Sequence, residues 1–176
     1  VCSSDLKLSA DLLFEEHLAD DYAYGFEQDA MRPVIELAIR SHSAYRLPEG
    51  ISAREKMFCD ILRDADKIDI FRVNIDTSPE EIYNVTTEEL KNSQVSQEVM
   101  QCFEEEHAVL RSLKKTAIDN YVAHMALTFE LVYPKSRQLV YEQGYLEQML
   151  EFKSDNGVTN EQLSQIREKL EAFLNK

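Results

Sequence analysis

Hydrophobic side chains recur along most of this chain at every third or fourth position, which is the spacing of one face of an α-helix. Several runs begin with a capping box, a Ser or Thr followed three residues later by Glu, as at Ser52, Ser78 and Thr86. The pattern predicts helices over about residues 9–19, 28–43, 52–70, 97–106, 115–132, 134–144, 145–152 and 159–174, with two short helices between 76 and 95. We therefore predict an all-α fold.

Composition supports a single helical domain. The chain has 176 residues, of which 44% are hydrophobic and 30% are charged. It contains only four Gly and four Pro, which favours long helices over a turn-rich β protein. We predict that residues 7–152 form the main helical domain and that residues 153–176 add a linker and an amphipathic helix to the same domain.

Charge and cysteine content narrow the choice of partners and compartment. The net charge of −14 argues against a nucleic-acid or anionic-membrane partner, but a local metal would still allow a nucleotide to bind. No apolar run approaches the ~20 residues of a membrane span, and no signal-peptide pattern is present. Three scattered cysteines (Cys2, Cys59 and Cys102) are typical of reduced thiols in a cytoplasmic protein, and we expect Cys59 and Cys102 to pack in the core.

Three carboxylates, Asp64, Asp66 and Asp69, interrupt an otherwise apolar helical run. The hydrophobic stripe of this helix is predicted from residues Phe58, Ile61, Leu62, Ala65 and Ile68. Asp69 falls near the middle of the stripe, Asp66 on its flank and Asp64 well away from it. We therefore expect Asp66 to have a packed stem and an open carboxylate, and Asp69 to be buried and hydrogen-bonded. The alternative is that these acids only pair with Arg63, Lys67 or Arg72.

The segment Arg63–Asp69 resembles the last conserved motif of the HD-domain metal-dependent phosphohydrolases. Residues 38–50, 121–131 and 137–146 also resemble helices and loops of bacterial stand-alone HD proteins, so the similarity covers about residues 10–150. The resemblance implies an HD-domain-like helical bundle. It also implies that Asp66 is the distant aspartate ligand of the metal and that His42 is the additional histidine of two-metal branches.

The chain departs from the family at the first metal-binding histidine and at the adjacent His-Asp pair. It contains only His17, His42, His107 and His124, and none of them is followed by Asp. Because the chain also starts without Met, we expect it to be an N-terminally truncated HD protein that is inactive alone. The alternative is a degenerate HD protein that has lost its metal site.

The chemistry that the resemblance implies is metal-dependent hydrolysis of a phosphate ester, of a nucleotide or a related compound. A divalent Mn, Fe, Co, Zn or Mg ion would lower the pKa of a bound water and polarise a phosphoryl oxygen. Asp66 would be the catalytic metal ligand, and His42 would bind a second metal or the substrate phosphate. Asp64 and Asp69 would not bind the metal themselves but would orient the residues that do.

Other roles remain open for several residues. Arg63 and Lys67 would bind the substrate phosphate, although salt bridges to Asp64 or Asp69 are an alternative. His124 lies on an apolar helix, where a lone histidine is more often a hydrogen-bonded core residue than a ligand. The second function class is a non-catalytic helical module that binds protein or nucleotide on a degenerate HD scaffold.

Overall fold

A computed structural model describes residues 10–16, 18–19 and 30–176, and within these ranges the chain consists of helices and turns without a β-strand. The all-α prediction is confirmed for this part of the chain. His17 and parts of the predicted helices over 9–19 and 28–43 lie outside the described residues. No helix in the described ranges is long and apolar enough to cross a membrane.

The described helices follow one another with short connections. Residues 10–14 are helical. The later helices are α1 (Arg32–Ser41), α2 (Ala53–Asp76), α3 (Pro79–Tyr83), α4 (Thr87–Asn92), α5 (Gln97–Glu104), α6 (Ala117–Met125), α7 (Pro134–Gln143), α8 (Tyr145–Leu150) and α9 (Gly157–Leu174). Two 3-10 turns, Arg111–Leu113 and Ala126–Glu130, precede and follow α6.

The chain divides into two compact units, with the boundary between Asp66 and Lys67 inside α2. Among the described residues of the first unit, the buried apolar side chains are Ala10, Phe14, Val34, Ala38 and Cys59. Arg40 of α1 forms ion pairs with Asp11 at 2.7 Å, Glu15 at 3.3 Å and Glu36 at 2.9 Å. These pairs are exposed, so packing of the apolar residues contributes more to the stability of this unit.

The second unit, from Lys67 to Lys176, has one continuous hydrophobic core. Its fully buried side chains come from α2, α4 to α6, α8 and α9 and include Phe71, Leu90, Val99, Phe103, Ile118, Val122, Met125, Met149, Ile166 and Leu170. Phe129 packs edge-to-face against Phe103 and Phe173, with ring centroids 5.7 and 5.2 Å apart. The C-terminal helix therefore belongs to this core.

Several helix limits differ from the sequence prediction; α2, for example, ends at Asp76 rather than near residue 70. The predicted helix over 115–132 ends as an α-helix at Met125 and continues as a 3-10 turn to Glu130. The last helix begins at Gly157 rather than near residue 159, and its N-cap is Asn156, whose Oδ1 accepts from the backbone N–H groups of Val158 and Thr159. Thr159 is buried instead, and its hydroxyl donates to the Ser93 carbonyl at 2.8 Å. The Thr159 hydroxyl therefore links the last helix to a residue that lies 66 positions earlier in the chain.

Candidate functional site

The helix that carries the acidic cluster starts where the capping box predicts. The Ser52 N–H donates to the Glu55 carboxylate at 2.7 Å, and the Glu55 N–H donates to the Ser52 hydroxyl at 3.3 Å. These hydrogen bonds stabilise the carboxylate and lower the pKa of Glu55. From this start α2 runs without interruption to Asp76, so the whole motif from Arg63 to Asp69 lies on one helix.

The buried face of α2 is not the predicted hydrophobic stripe. The buried positions recur at three- and four-residue spacing and are Cys59, Asp60, Arg63, Asp64, Lys67, Ile68 and Phe71. Ile61, a member of the predicted stripe, is 50% exposed, and Ala65 is also exposed. The prediction failed because this face carries four charged residues, and polar pairing lets them be buried. Asp60, for example, lies 2.5 Å from the Lys56 ammonium.

Because the buried face of α2 differs from the predicted one, two carboxylates lie in environments opposite to those expected. Asp69 was predicted to be buried, but its side chain is 58% exposed and pairs with Arg72 at 2.9 Å. Asp64 was predicted to point away from the buried side, but it is only 2% exposed. Asp66 is half-buried. Asp69 is therefore a surface ion-pair residue, and Asp64 is the buried acid of the motif.

Arg63, predicted as a phosphate ligand, contacts the C-terminal end of α1. Its Nη1 donates to the Ser41 carbonyl at 3.2 Å, the His42 carbonyl at 3.3 Å and the Ala44 carbonyl. Terminal carbonyls of a helix have no partner within the helix, so a buried guanidinium is a suitable cap for them. This nitrogen thus holds the α1 terminus, and Lys67 remains a buried cation one turn further along α2.

Replacing Arg63 by Gln is expected to lower the free energy of unfolding by about 2 kcal/mol, because several carbonyls lose a charged donor. Urea unfolding followed by circular dichroism measures this loss. Arg54→Gln is the matched control on the same helix, because Arg54 is exposed and its guanidinium contacts the Met31 sulfur. Equal stability of the two variants would show that the cap contributes nothing.

His42 follows the last residue of α1, and its ring orientation is fixed by the backbone. Its Nδ1 lies 2.6 Å from the Ile39 carbonyl oxygen, which can only accept, so Nδ1 carries the proton. The lone pair of the neutral ring is then on Nε2. A backbone carbonyl that orients a ring in this way is a common arrangement for metal-binding histidines. This tautomer suits a metal ligand, whereas a hydrogen bond from Nε2 to a substrate phosphate would need a second ring proton.

The candidate ligands do not assemble a metal site in the described part of the chain. Among residues 10–16, 18–19 and 30–176, no group of three or more His, Cys, Asp or Glu side chains is placed to hold a metal ion. A catalytic zinc site, for comparison, has three protein ligands. Asp66 and His42 alone therefore do not fit a complete metal site, and the site proposed from the resemblance needs further ligands.

A second polar cluster lies within the other unit and involves Asn74, Tyr83 and His124. The Asn74 amide nitrogen donates to the Ile70 carbonyl at 2.8 Å and to His124 Nδ1 at 2.9 Å. The Tyr83 hydroxyl contacts the Asn74 amide oxygen and lies 2.9 Å from His124 Nδ1. Because the Ile70 carbonyl can only accept, it fixes the amide orientation. His124 Nδ1 is thus an acceptor, and the proton is on Nε2.

This environment keeps His124 neutral. Burial, together with repulsion from Lys114, lowers the pKa of His124 from 6.5 to about 3. Burial also raises the pKa of Tyr83 well above its usual range, so the hydroxyl remains a proton donor. The sequence suggested a hydrogen-bonded core histidine, and the ring indeed makes such contacts. The identity of its partners was not predictable, because they lie 41 and 50 residues away along the chain.

Stability is expected to fall as the pH drops below 6.5. The unfolded chain binds a proton at His124 from that pH downward, whereas the folded chain does so only near pH 3, so acid favours unfolding. Between pH 6.5 and 5 this site contributes a loss of about 2 kcal/mol. Urea unfolding across this range should show a smaller pH dependence for His124→Gln than for His107→Gln, which replaces a surface histidine. The same slope in both variants would contradict the assignment.

Other features do not coincide with the predicted site residues. Cys59 and Cys102 are buried, as predicted, and burial raises the pKa of both thiols. A cavity of about 530 Å³ lies between α5 and α9 and is lined mainly by glutamine side chains, including Gln97 and Gln165. Neither feature supplies a nucleophile or a metal ligand for the site.

Comparison of the chain with protein-family models, with curated proteins and with solved structures finds no match. The proposed function therefore rests on the residues of this chain and their arrangement.

Proposed function

We propose that the complete gene product is a metal-dependent phosphohydrolase with an HD-domain-like helical bundle, to which this chain contributes part of the metal site. The observation that carries the proposal is the placement of the Arg63–Asp69 motif on one uninterrupted helix, with Asp66 half-buried. The orientation of His42, with a lone pair on Nε2, supports a second contact to a metal ion.

The proposed substrate is a small phosphate ester, such as a nucleotide, and the proposed cofactor is a divalent Mn, Fe, Co, Zn or Mg ion. The motif assigns Asp66 as a metal ligand. His42 is the second candidate ligand. Asp64, buried one turn from Lys67, has the environment of a residue that orients its neighbours. Asp69 is too exposed for that role.

The test is metal binding and hydrolysis by the protein expressed from its complete gene. The protein is stripped of metal, reloaded with Mn²⁺ or Zn²⁺, and assayed with nucleoside monophosphates and p-nitrophenyl phosphate. We expect at least one bound metal ion per chain and hydrolysis that depends on it. Metal uptake without hydrolysis of any phosphate ester would exclude the phosphohydrolase assignment.

The second candidate is a non-catalytic module that binds a protein or a nucleotide. The observation that favours it is the incomplete ligand set among the described residues. It predicts that the complete gene product takes up no metal and that any bound nucleotide is recovered intact. Equilibrium dialysis with Mn²⁺ or Zn²⁺ therefore separates the two candidates before any substrate is known.

A further inference from the structure

Glutamine side chains cluster at one groove of the second unit. This groove is the cavity of about 530 Å³ between α5 and α9. Five of the nine glutamines of the chain line it, namely Gln94, Gln97, Gln101, Gln162 and Gln165. Val95 and Met100 add apolar surface. The groove thus combines hydrophobic contact area with several amide groups, which is the composition of sites where a few polar groups fix the orientation of a ligand.

The charge of the groove favours an uncharged ligand. Among the described residues that line it, the only charged one is Glu104. Its carboxylate lies 2.5 Å from the Lys169 ammonium, so this pair adds no net charge. The glutamine amides are neutral, and each offers both donors and acceptors. A matching ligand therefore carries donors and acceptors side by side and has no net charge, as the main chain of a peptide does.

Gln162 already pairs with a peptide main chain inside this groove. Its Oε1 accepts from the Val95 N–H at 3.2 Å, and its Nε2 donates to the Val95 carbonyl at 2.9 Å. One glutamine amide thus satisfies both backbone groups of one residue. In an extended chain the N–H and C=O groups of a residue project from the same edge, so a peptide strand presents the same pair of groups at every second residue.

The other amides of the groove are available for such contacts. The side chains of Gln94, Gln97 and Gln165 are exposed and make no hydrogen bond with a described residue. Gln101 donates from Nε2 to the Glu105 carboxylate at 2.7 Å, which leaves its Oε1 as an acceptor. Gln97 and Gln101 lie one helical turn apart, or about 6 Å along the axis of α5. This spacing is close to the ~6.8 Å that separates every second residue of a strand.

We propose that the groove between α5 and α9 binds an extended, uncharged peptide segment through its main chain. Gln97 from α5 and Gln165 from α9 pair with its N–H and C=O groups, in the way that Gln162 pairs with Val95. Met100 contacts its side chains. The site lies within the second unit and uses no metal ligand, so it is independent of the proposed hydrolase and its substrate.

The experiment is a titration of the full chain with acetyl-tetraalanine-amide, followed by NMR of the glutamine side-chain NH2 groups. Main-chain hydrogen bonds supply the affinity in this mode of recognition, so a peptide with small side chains is a sufficient probe. We expect saturable shifts of Gln97 and Gln165, and none of Gln143, which is exposed at the end of α7. The same peptide with N-methylated amides lacks the main-chain donors and should cause no saturable shift.

Substitutions test the same contacts. Combining Gln97→Ala with Gln165→Ala should weaken peptide binding about tenfold or more, because the hydrogen bonds of two amides are lost. Gln143→Ala removes an amide outside the groove and should change the affinity by less than about twofold. Alanine is favourable in a helix, so these variants should keep their fold.

Three results would overturn the proposal. One is the absence of a saturable shift with the peptide. Another is an equal response to the N-methylated peptide or to a neutral sugar such as maltose, which would mean that the groove does not recognise the peptide main chain. The third is equal affinity of the double variant and of Gln143→Ala. Because the first two readouts use the unmodified chain, the test remains decisive even if a variant fails to fold.

Discussion

Replacing Asp66 by Asn is expected to reduce the metal-dependent hydrolysis of phosphate esters by the complete gene product about a hundredfold or more. Asparagine keeps the size of the side chain but removes the negative charge that makes a carboxylate a good ligand for a divalent cation. If Asp66 binds the metal, as we propose, the same substitution should weaken metal binding in equilibrium dialysis. Initial rates at saturating and at limiting Mn²⁺ separate lost metal affinity from lost turnover.

The matched control is Asp69→Asn on the same helix. Asp69 carries the same charge but is exposed and paired with Arg72, so its replacement should leave both hydrolysis and metal binding within about twofold of the starting values. Thermal unfolding by circular dichroism shows whether either variant has lost its fold. Equal loss of activity in the two variants, or none in Asp66→Asn, would rule out a specific role for Asp66.

Helix starts and stops were predictable because their hydrogen bonds are local. The capping boxes at Ser52 and Thr86 are present, and the Ser78 side chain accepts from the Glu81 N–H. Gly144 ends α7 with a φ of 70°, the left-handed backbone that favours glycine at this position. In each case the residues that determine the helix end lie within one helical turn of it.

The buried face of α2 was not predictable by the same reasoning. Hydrophobic periodicity assumes that charged residues face solvent, but Arg63, Asp64 and Lys67 are all buried. The Nη1 of Arg63 is satisfied by carbonyls about 20 residues earlier in the chain. Only the fold of the first unit brings the Arg63 guanidinium to the end of α1, so the sequence around the motif could not show which acid would be buried.

Asp119 is a buried polar residue whose partners were only partly predictable from the sequence. Thr116 and Asp119 form a capping box at the start of α6, which was placed inside a longer predicted helix. The same carboxylate also accepts two hydrogen bonds from Ser96, which lies 23 residues earlier in the chain. The [Ser/Thr]-x-x-Asp spacing was a usable signal for the local half of this arrangement, whereas its distant half required the fold.

Replacing Asp119 by Ala is expected to lower the free energy of unfolding by about 4 kcal/mol, because Ser96, Lys115 and Thr116 lose the acceptor for their backbone N–H groups. Asp119 is fully buried, so water cannot replace the carboxylate without local unfolding. Asp119→Asn should cause an intermediate loss of free energy of unfolding, because the amide keeps one oxygen acceptor but replaces the other oxygen by an NH2 donor. Urea unfolding followed at 222 nm measures both variants.

Asp155→Ala is the control, because Asp155 is also acidic but exposed, and its backbone N–H rather than its side chain bonds to the Lys91 carbonyl. Its free energy of unfolding should equal that of the unmodified chain. The predicted order of stability is therefore Asp155→Ala, then Asp119→Asn, then Asp119→Ala. If Asp119→Ala were as stable as the control, water would replace the four hydrogen bonds of Asp119 at no cost. The start of α6 would then not depend on the hydrogen bonds between Asp119 and Ser96.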